Sequence, residues 1–195
     1  MESKRKKAVV LCNGQIPGKQ MLESHLSKEV FFVAADGGAN RALQYGLLPD
    51  LIIGDLDSFD EWVLEDSQKQ NIAIIKDTDQ ETNDLEKALN WLKANAYSSV
   101  KIFGATNMRL DHTWKNLSVM MQFNDLFEDL SFIDSYGYGF ILPKDYEGTF
   151  PKDSTLSLIP LSGPGQTPLL RQPLSQGAPP CVSLAAPSPS SNCSS

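Results

Sequence analysis

The 195-residue chain is short of the groups that most often give a protein an obvious chemistry. It has three cysteines, Cys12, Cys181 and Cys193, which form neither a disulfide framework nor a close metal-ligand pair. With only His25 and His112 as histidines, it has no Cys/His cluster for zinc. No stretch is long and apolar enough to cross a bilayer, and no signal-peptide run follows the basic start Lys4-Arg5-Lys6-Lys7. The formal net charge of −7 argues against a broad nucleic-acid surface, though not against a local phosphate site. Gly-x-x-x-x-Gly-Lys-Ser/Thr is absent, so this is not a P-loop protein. Gly-x-Ser-x-Gly is absent too, and Asp36-Gly37-Gly38-Ala39-Asn40 is not a dinucleotide fingerprint. These absences leave a cytoplasmic protein without membrane or nucleic-acid partners, holding one ordinary domain or one plus a small second.

What is present is an alternation of short apolar runs and helical patterns. Ala8–Cys12, Val30–Ala35, Leu51–Ile53, Ala73–Ile75 and Val100–Phe103 read as strands. Between them, Lys19–Glu29, Ala39–Tyr45, Phe59–Gln70 and Asn83–Ala94 read as helices, and Thr113–Phe123 follows the last strand. The clearest helix is Asn83–Ala94. Leu85, Ala88, Leu89 and Leu92 make one apolar stripe, and Asn83 with Glu86 has the spacing of a capping box. Such alternation predicts an α/β domain with a parallel sheet and helices on both faces. Ligands of such sheets bind at the carboxyl ends of the strands. The Gly- and Asp-rich loops of this chain fall there.

Near Asp125 the pattern changes. Leu130–Ile133, Tyr138–Leu142 and Thr155–Pro160 read as strands joined by turns, the start of a small all-β unit. After Leu161 it changes again. From Gly163 to Ser195 the chain is rich in proline and serine, has Arg171 as its one charge, and reads as a disordered tail. The expected organisation is 1–126 α/β, 127–162 all-β and 163–195 tail.

Leu51-Ile52-Ile53-Gly54-Asp55-Leu56-Asp57-Ser58 ends an apolar run in two carboxylates. In an extended backbone Asp55 and Asp57 share one side and Leu56 packs on the other. Such a pair suits a hard cation such as Mg²⁺, or is simply an acidic turn. Asp77–Asp84 holds four carboxylates before the best helix, where the helix dipole favours acids and free N–H groups can take a phosphate. Asp84 and Lys87, three apart, put a metal-type carboxylate beside a phosphate-type lysine. After the fifth strand, Arg109 can grip a phosphate through two bonds, and Asp111 can orient it or bind metal. His112 and Asn116 share a helix face; His112 reads as a helix-start residue or a general base. The residues alone point to Mg²⁺-dependent chemistry on a phosphorylated substrate.

Four segments in order sharpen this. Ala35-Asp36-Gly37-Gly38-Ala39-Asn40, Gly54-Asp55-Leu56-Asp57-Ser58, Asp79–Ala88 and Arg109-Leu110-Asp111-His112 resemble those of the thiamine pyrophosphokinases, and Cys12-Asn13-Gly14 resembles that family's first loop. The resemblance covers about residues 8–161. It implies an α/β catalytic domain, then a β-sandwich domain, in a homodimer that moves the pyrophosphoryl group of ATP to thiamine and releases AMP. It implies Mg²⁺ on Asp55, Asp57 and Asp84, and ATP along Asp36, Asn40, Asp79, Gln80, Thr82, Lys87, Arg109 and Asp111. Asp55, Asp57, Asp84, Arg109 and Asp111 form the expected catalytic set.

The chain departs from the family pattern at Asn107-Met108, where two glycines are common, and after Gly163, where strands carrying part of the thiamine pocket are expected. The abrupt loss of pattern reads as a frame change in the coding sequence. Two other functions compete: a nucleotide-binding relative without a full thiamine pocket, and a Mg²⁺-dependent nucleoside triphosphate hydrolase.

Overall fold

The computed structural model describes residues 5–57, 62, 67, 70–79, 81–106, 109–143, 146, 148–150, 155–160 and 168–172. The helix expected over Phe59–Gln70 lies mostly outside them, as do Gln80 and Asn107-Met108. The described residues fall into two units, Met1–Tyr136 and Gly137–Ser195.

In the first unit the apolar runs become β1 (Lys7–Leu11), β2 (Val30–Ala35), β3 (Leu51–Gly54), β4 (Ala73–Lys76), β5 (Ser99–Phe103) and β6 (Asp129–Asp134). All pair in parallel, in the order β4-β3-β2-β1-β5-β6. Successive strand residues face opposite sides of a sheet. Val9, Val10 and Leu11 are nonetheless all buried, as are Phe32 to Ala35 and Leu51 to Ile53. Both faces of the central strands are therefore covered, which is why these runs are continuously apolar.

The described helices are α1 (Lys19–His25), α2 (Gly38–Gln44), α3 (Asp84–Ala94) and α4 (Leu110–Phe123). In α3 the predicted stripe is the buried face: Leu85, Ala88, Leu89 and Leu92 are all buried, and the helix packs on β1, β2 and β3. Each such leucine contributes about 1.5–3 kcal/mol by leaving water. Asn83 caps the helix by accepting from the Glu86 amide at 2.8 Å. In α2, Ala39 and Leu43 pack with Ala34 and Ile52. Gly46, in the left-handed region at φ 68°, follows its end.

One strand differs from expectation. Leu130–Ile133 is not the first strand of the β unit but lies in β6, in parallel register with β5 (Ile102 opposite Phe132). Its apolar run is buried on both faces, as in a parallel strand covered on both sides. The sequence signal for a β unit began one strand early because only a three-residue helical turn, Asn124–Leu126, separates α4 from the segment leading into β6.

The second unit contains β7 (Gly137–Ile141), β8 (Ser157–Pro160) and β9 (Pro168–Gln172), antiparallel in the order β7-β9-β8. Leu142 and Phe150 pack there with Phe140, Tyr146 and Leu156. The strand β9 corrects the reading of 163–195 as a tail without structure. It is paired along both edges, with Phe140 and Leu158 both opposite Leu170, so neighbouring strands specify what local periodicity does not. The remainder, 173–195, lies outside the described residues. Leu158 and Ile159 on β8 are exposed. No helix among the described residues is long and apolar enough to cross a membrane.

The strand order reverses at β1, which has β2 on one side and β5 on the other. Loops leaving β1 and β5 diverge at such a point and leave a crevice over the strand ends. Here they are also stitched together. The Cys12 amide donates to the Phe103 carbonyl and the Gly14 amide to the Gly104 carbonyl, both at 2.8 Å. Gly104 sits at φ 66°, and a Cβ there would lie 2.4 Å from the Cys12 carbonyl oxygen. Gly104→Ala combines left-handed strain with a clash against backbone, and is expected to cost about 2–4 kcal/mol. A urea titration checks this; an unchanged midpoint would mean that the loops separate freely.

Candidate active site

A cleft of about 410 Å³ opens over that point. It is lined by Cys12, Asn13 and Gly14 after β1, Ala35 and Asp36 after β2, Asp55 and Asp57 after β3, and Gly104 and Ala105 after β5. Asn83, Asp84 and Leu85 at the start of α3, and Arg109, His112 and Asn116 at the start of α4, complete it. One wall is thus carboxylate and the facing wall carries an arginine.

Asp36 is held by its backbone. Its amide donates to the Ile53 carbonyl at 2.8 Å, and its carbonyl accepts from the Ala39 amide at 2.9 Å. Its φ is 43°, left-handed space that aspartate tolerates better than most residues. The two glycines that follow have other uses: a Cβ on Gly38 would lie 2.1 Å from the Leu11 carbonyl oxygen. Asp36 is 7% exposed, and its Oδ1 is buried with no hydrogen-bond partner among the described residues. A buried acceptor in that state invites a cation or a donor from a ligand.

Asp55 and Asp57 both reach the cleft, but not through an extended backbone. The strand ends at Gly54, Leu56 turns left-handed at φ 68°, and the Asp57 amide donates to Asp55 Oδ1 at 3.0 Å. The pair is therefore built by an Asx-type turn, which the alternation argument did not anticipate. Leu56 does pack away from the site, against the cluster of Ala34, Ala39, Leu43 and Ile52.

Asp84 is half-buried on the first turn of α3. Its carboxyl is held above the usual carboxylate range, chiefly by burial, then by the negative charge of Asp36, with Asp55 adding to it. Lys87 acts in the opposite direction. The same wall affects Cys12, whose thiol is pushed up to about 12 by burial and then by Asp84. Cys12 is thus a packed thiol and not a nucleophile at neutral pH.

The other expected residues divide. Lys87 does not line the cleft. It is 5% exposed, its Nζ donates to the Asp77 carbonyl at 2.8 Å, and it stands 3.7 Å from Asp84 Oδ1, behind the acidic wall. Asp79 accepts from the Glu81 amide at 3.0 Å and from Thr82 Oγ1 at 2.8 Å, holding the turn into α3; those bonds lower its pKa, the amide first. Neither Asp79 nor Thr82 lines the cleft, and Asn40 lies on α2 outside the lining. Gln80 is outside the described residues. Arg109 faces the cleft and is gripped by Asp111 through Nε to Oδ1 at 3.1 Å and Nη2 to Oδ2. The Arg109 bond holds the Asp111 carboxyl below its usual range. Asp111 thus orients the arginine.

Sequence reasoning did not connect Asn83 with Asn116. Asn83 Nδ2 donates to Asn116 Oδ1 at 2.9 Å, and Asn116 Nδ2 donates to the Ala105 carbonyl at 2.8 Å. The available signal was position alone: one residue precedes Asp84, and the other lies one turn beyond His112.

The polar side chains of the acidic wall are hard oxygen donors, the chemistry that Mg²⁺ prefers. Together with the orphaned Asp36 oxygen, they fit a hard cation. Among the described residues no three Asp, Glu, His or Cys side chains form a ready-made metal cage. A larger cleft of about 550 Å³ lies at the opposite ends of β1 and β2, where Lys6, Lys7 and Lys28 are interspersed with Glu29 and Asp50. It lacks the group of four carboxylates that lines the first.

Comparison with known proteins agrees with the architecture. The family model for the thiamin pyrophosphokinase catalytic domain matches residues 22–132. Rice (Oryza sativa) thiamine pyrophosphokinase 1 is 27% identical over 164 residues, covering 68% of this chain and 60% of the rice protein. The chain thus spans less than two thirds of that relative. Among solved structures, Bacillus subtilis thiamine pyrophosphokinase superposes with a TM-score of 0.69 at 22% identity, covering 80% of this chain and 75% of that one. The yeast enzyme gives 0.68 at 19% identity, covering 82% and 70%. At those identities the structures speak for the fold. With the catalytic-domain model matched over more than half of its length, the chain belongs to the thiamin pyrophosphokinase family.

Proposed function

We propose that the chain transfers the pyrophosphoryl group of ATP to the hydroxyl of thiamine, giving thiamine diphosphate and AMP. The observation that carries this reading is the cleft at the sheet's reversal point, where Asp36, Asp55, Asp57 and Asp84 face Arg109. A triphosphate with its cation complements both walls at once. Asp55, Asp57 and Asp84 would hold Mg²⁺, as hard oxygen donors of the kind that cation prefers. Bound there, Mg²⁺ supplies neutralisation of phosphate charge during transfer.

The chain's own residues do the rest. Arg109 presents a rigid fork to phosphate oxygens, held in aim by Asp111. Lys87 keeps Asp84 in place from behind, and Asp79 with Thr82 fixes the turn that presents it. The thiamine oxygen bonds to the β-phosphorus as the bond from that phosphorus to the AMP oxygen breaks, the electron pair stays on AMP, and the hydroxyl proton is released to water. The enzyme's part is positioning and charge. A cytoplasmic homodimer belongs to the same reading.

The test is direct: incubate the chain with ATP, Mg²⁺ and thiamine, and separate the products. Thiamine diphosphate and AMP in equal amounts are expected. AMP with pyrophosphate, formed without thiamine, would replace this reading by hydrolysis; ATP binding without turnover would replace it by a binding protein.

A further inference from the structure

We propose that Asn83 and Asn116 form a positioning pair that sets the separation of the carboxylate and arginine walls of the cleft. The inference rests on the ATP-site reading above. Three bonds run in one direction. Asn83 Oδ1 accepts from the Glu86 amide at 2.8 Å, Asn83 Nδ2 donates to Asn116 Oδ1 at 2.9 Å, and Asn116 Nδ2 donates to the Ala105 carbonyl at 2.8 Å. Each side-chain oxygen accepts and each NH₂ donates. Turning either amide over would set two oxygens or two NH₂ groups against each other, so the bonds fix both orientations.

A helix cap explains only part of this. Capping needs one acceptor at Asn83 and nothing from Asn116. The remaining two bonds reach beyond the cap: Asn83 and Asn116 are 33 residues apart, and Asn116 is 11 residues from Ala105. Asn83 is bonded to the residue beside it in the chain, Asp84. Asn116 is on α4, whose N-cap is Arg109. The Ala105 carbonyl belongs to the loop after β5. Both asparagines are half-buried, and both line the cleft together with Ala105, so the bonds run within its lining. Neither side chain offers a charge or a base. Their use is geometric, and a misplacement on the order of 1 Å costs about 10²-fold in rate.

Asn83→Ser keeps a good cap but is too short to reach Asn116. Asn116→Leu removes the other half. Each variant is expected to lose about 10- to 100-fold in kcat, with the KM for ATP moving less. For Asn83→Ser the unfolding midpoint stays near that of the wild type. The double variant should be no slower than the worse single one, because one connection is cut twice. A rate for Asn83→Ser within about twofold of wild type, or losses that multiply in the double variant, overturns the pair. Wild-type turnover separates this from the functional reading. If the wild type were inactive, the pair would be judged on the dissociation constant of Mg·ATP. That constant is expected to rise about tenfold in Asn83→Ser; an unchanged value would overturn the pair.

Discussion

Replacing Asp84 by asparagine is expected to cut turnover steeply and, in metal-free buffer at neutral pH, to raise the melting temperature. The two effects share one cause. The Asp84 carboxyl is held above its ordinary value of 3.8 by burial and by Asp36 and Asp55. A raised carboxyl binds its proton more tightly in the folded chain than in the unfolded one, so ionised Asp84 destabilises the fold. That cost is absent below the unfolded pKa. It grows as pH rises through the window between 3.8 and the raised folded value, and is complete above that window. Asp84→Asn removes it there and changes little at about pH 3. A cation in the cleft removes it as well, so Mg²⁺ should raise the melting temperature of the wild type more than that of the variant. Turnover should fall by about 10³-fold, roughly 4 kcal/mol of transition-state stabilisation. Calorimetry at both pH values, with and without Mg²⁺, checks the stability half. A variant that melts lower at pH 7 would show that the charge is compensated within the protein.

This trade also explains which parts of the site were legible. Charged residues announce themselves by type and place: Asp36, Asp55 and Asp57 follow strands, Asp84 and Arg109 stand at helix starts, and all five line one cleft. The fold was legible for the same kind of reason. Strands buried on both faces are continuously apolar, and the stripe of α3 has one period. What sequence did not show depends on backbone turns and on partners distant in the chain. Leu56 at φ 68° breaks the extended geometry that strand alternation alone predicts for Asp55 and Asp57. Lys87 reads as a phosphate ligand from its place three residues after Asp84, yet it is buried and its Nζ donates to the Asp77 carbonyl. The strand β9 exists through pairing on both sides, and a proline-rich stretch carries no periodicity to reveal it.

Arg109 supplies the second large effect, through shape more than charge. Arg109→Lys keeps the positive charge at any working pH but loses the planar fork that meets two phosphate oxygens at once. It also loses the two-point grip of Asp111, since an ammonium cannot match both carboxylate oxygens in that geometry. Turnover is expected to fall about 10²- to 10³-fold, the range seen when one preorganised donor is removed from a charge-stabilising site. The side chains of Arg109 and Asp111 are 65% and 63% exposed, so the unfolding midpoint should not move. Asp111→Asn separates aim from contact. It leaves the guanidinium in place but loosens it, and should cost about tenfold if Asp111 only orients Arg109. A loss in Asp111→Asn as deep as that in Arg109→Lys would place Asp111 on the substrate or its cation instead. Were Arg109→Lys to turn over normally, charge alone would suffice on that wall. The rigid arrangement of Arg109 and Asp111 would then serve binding order and not the transfer.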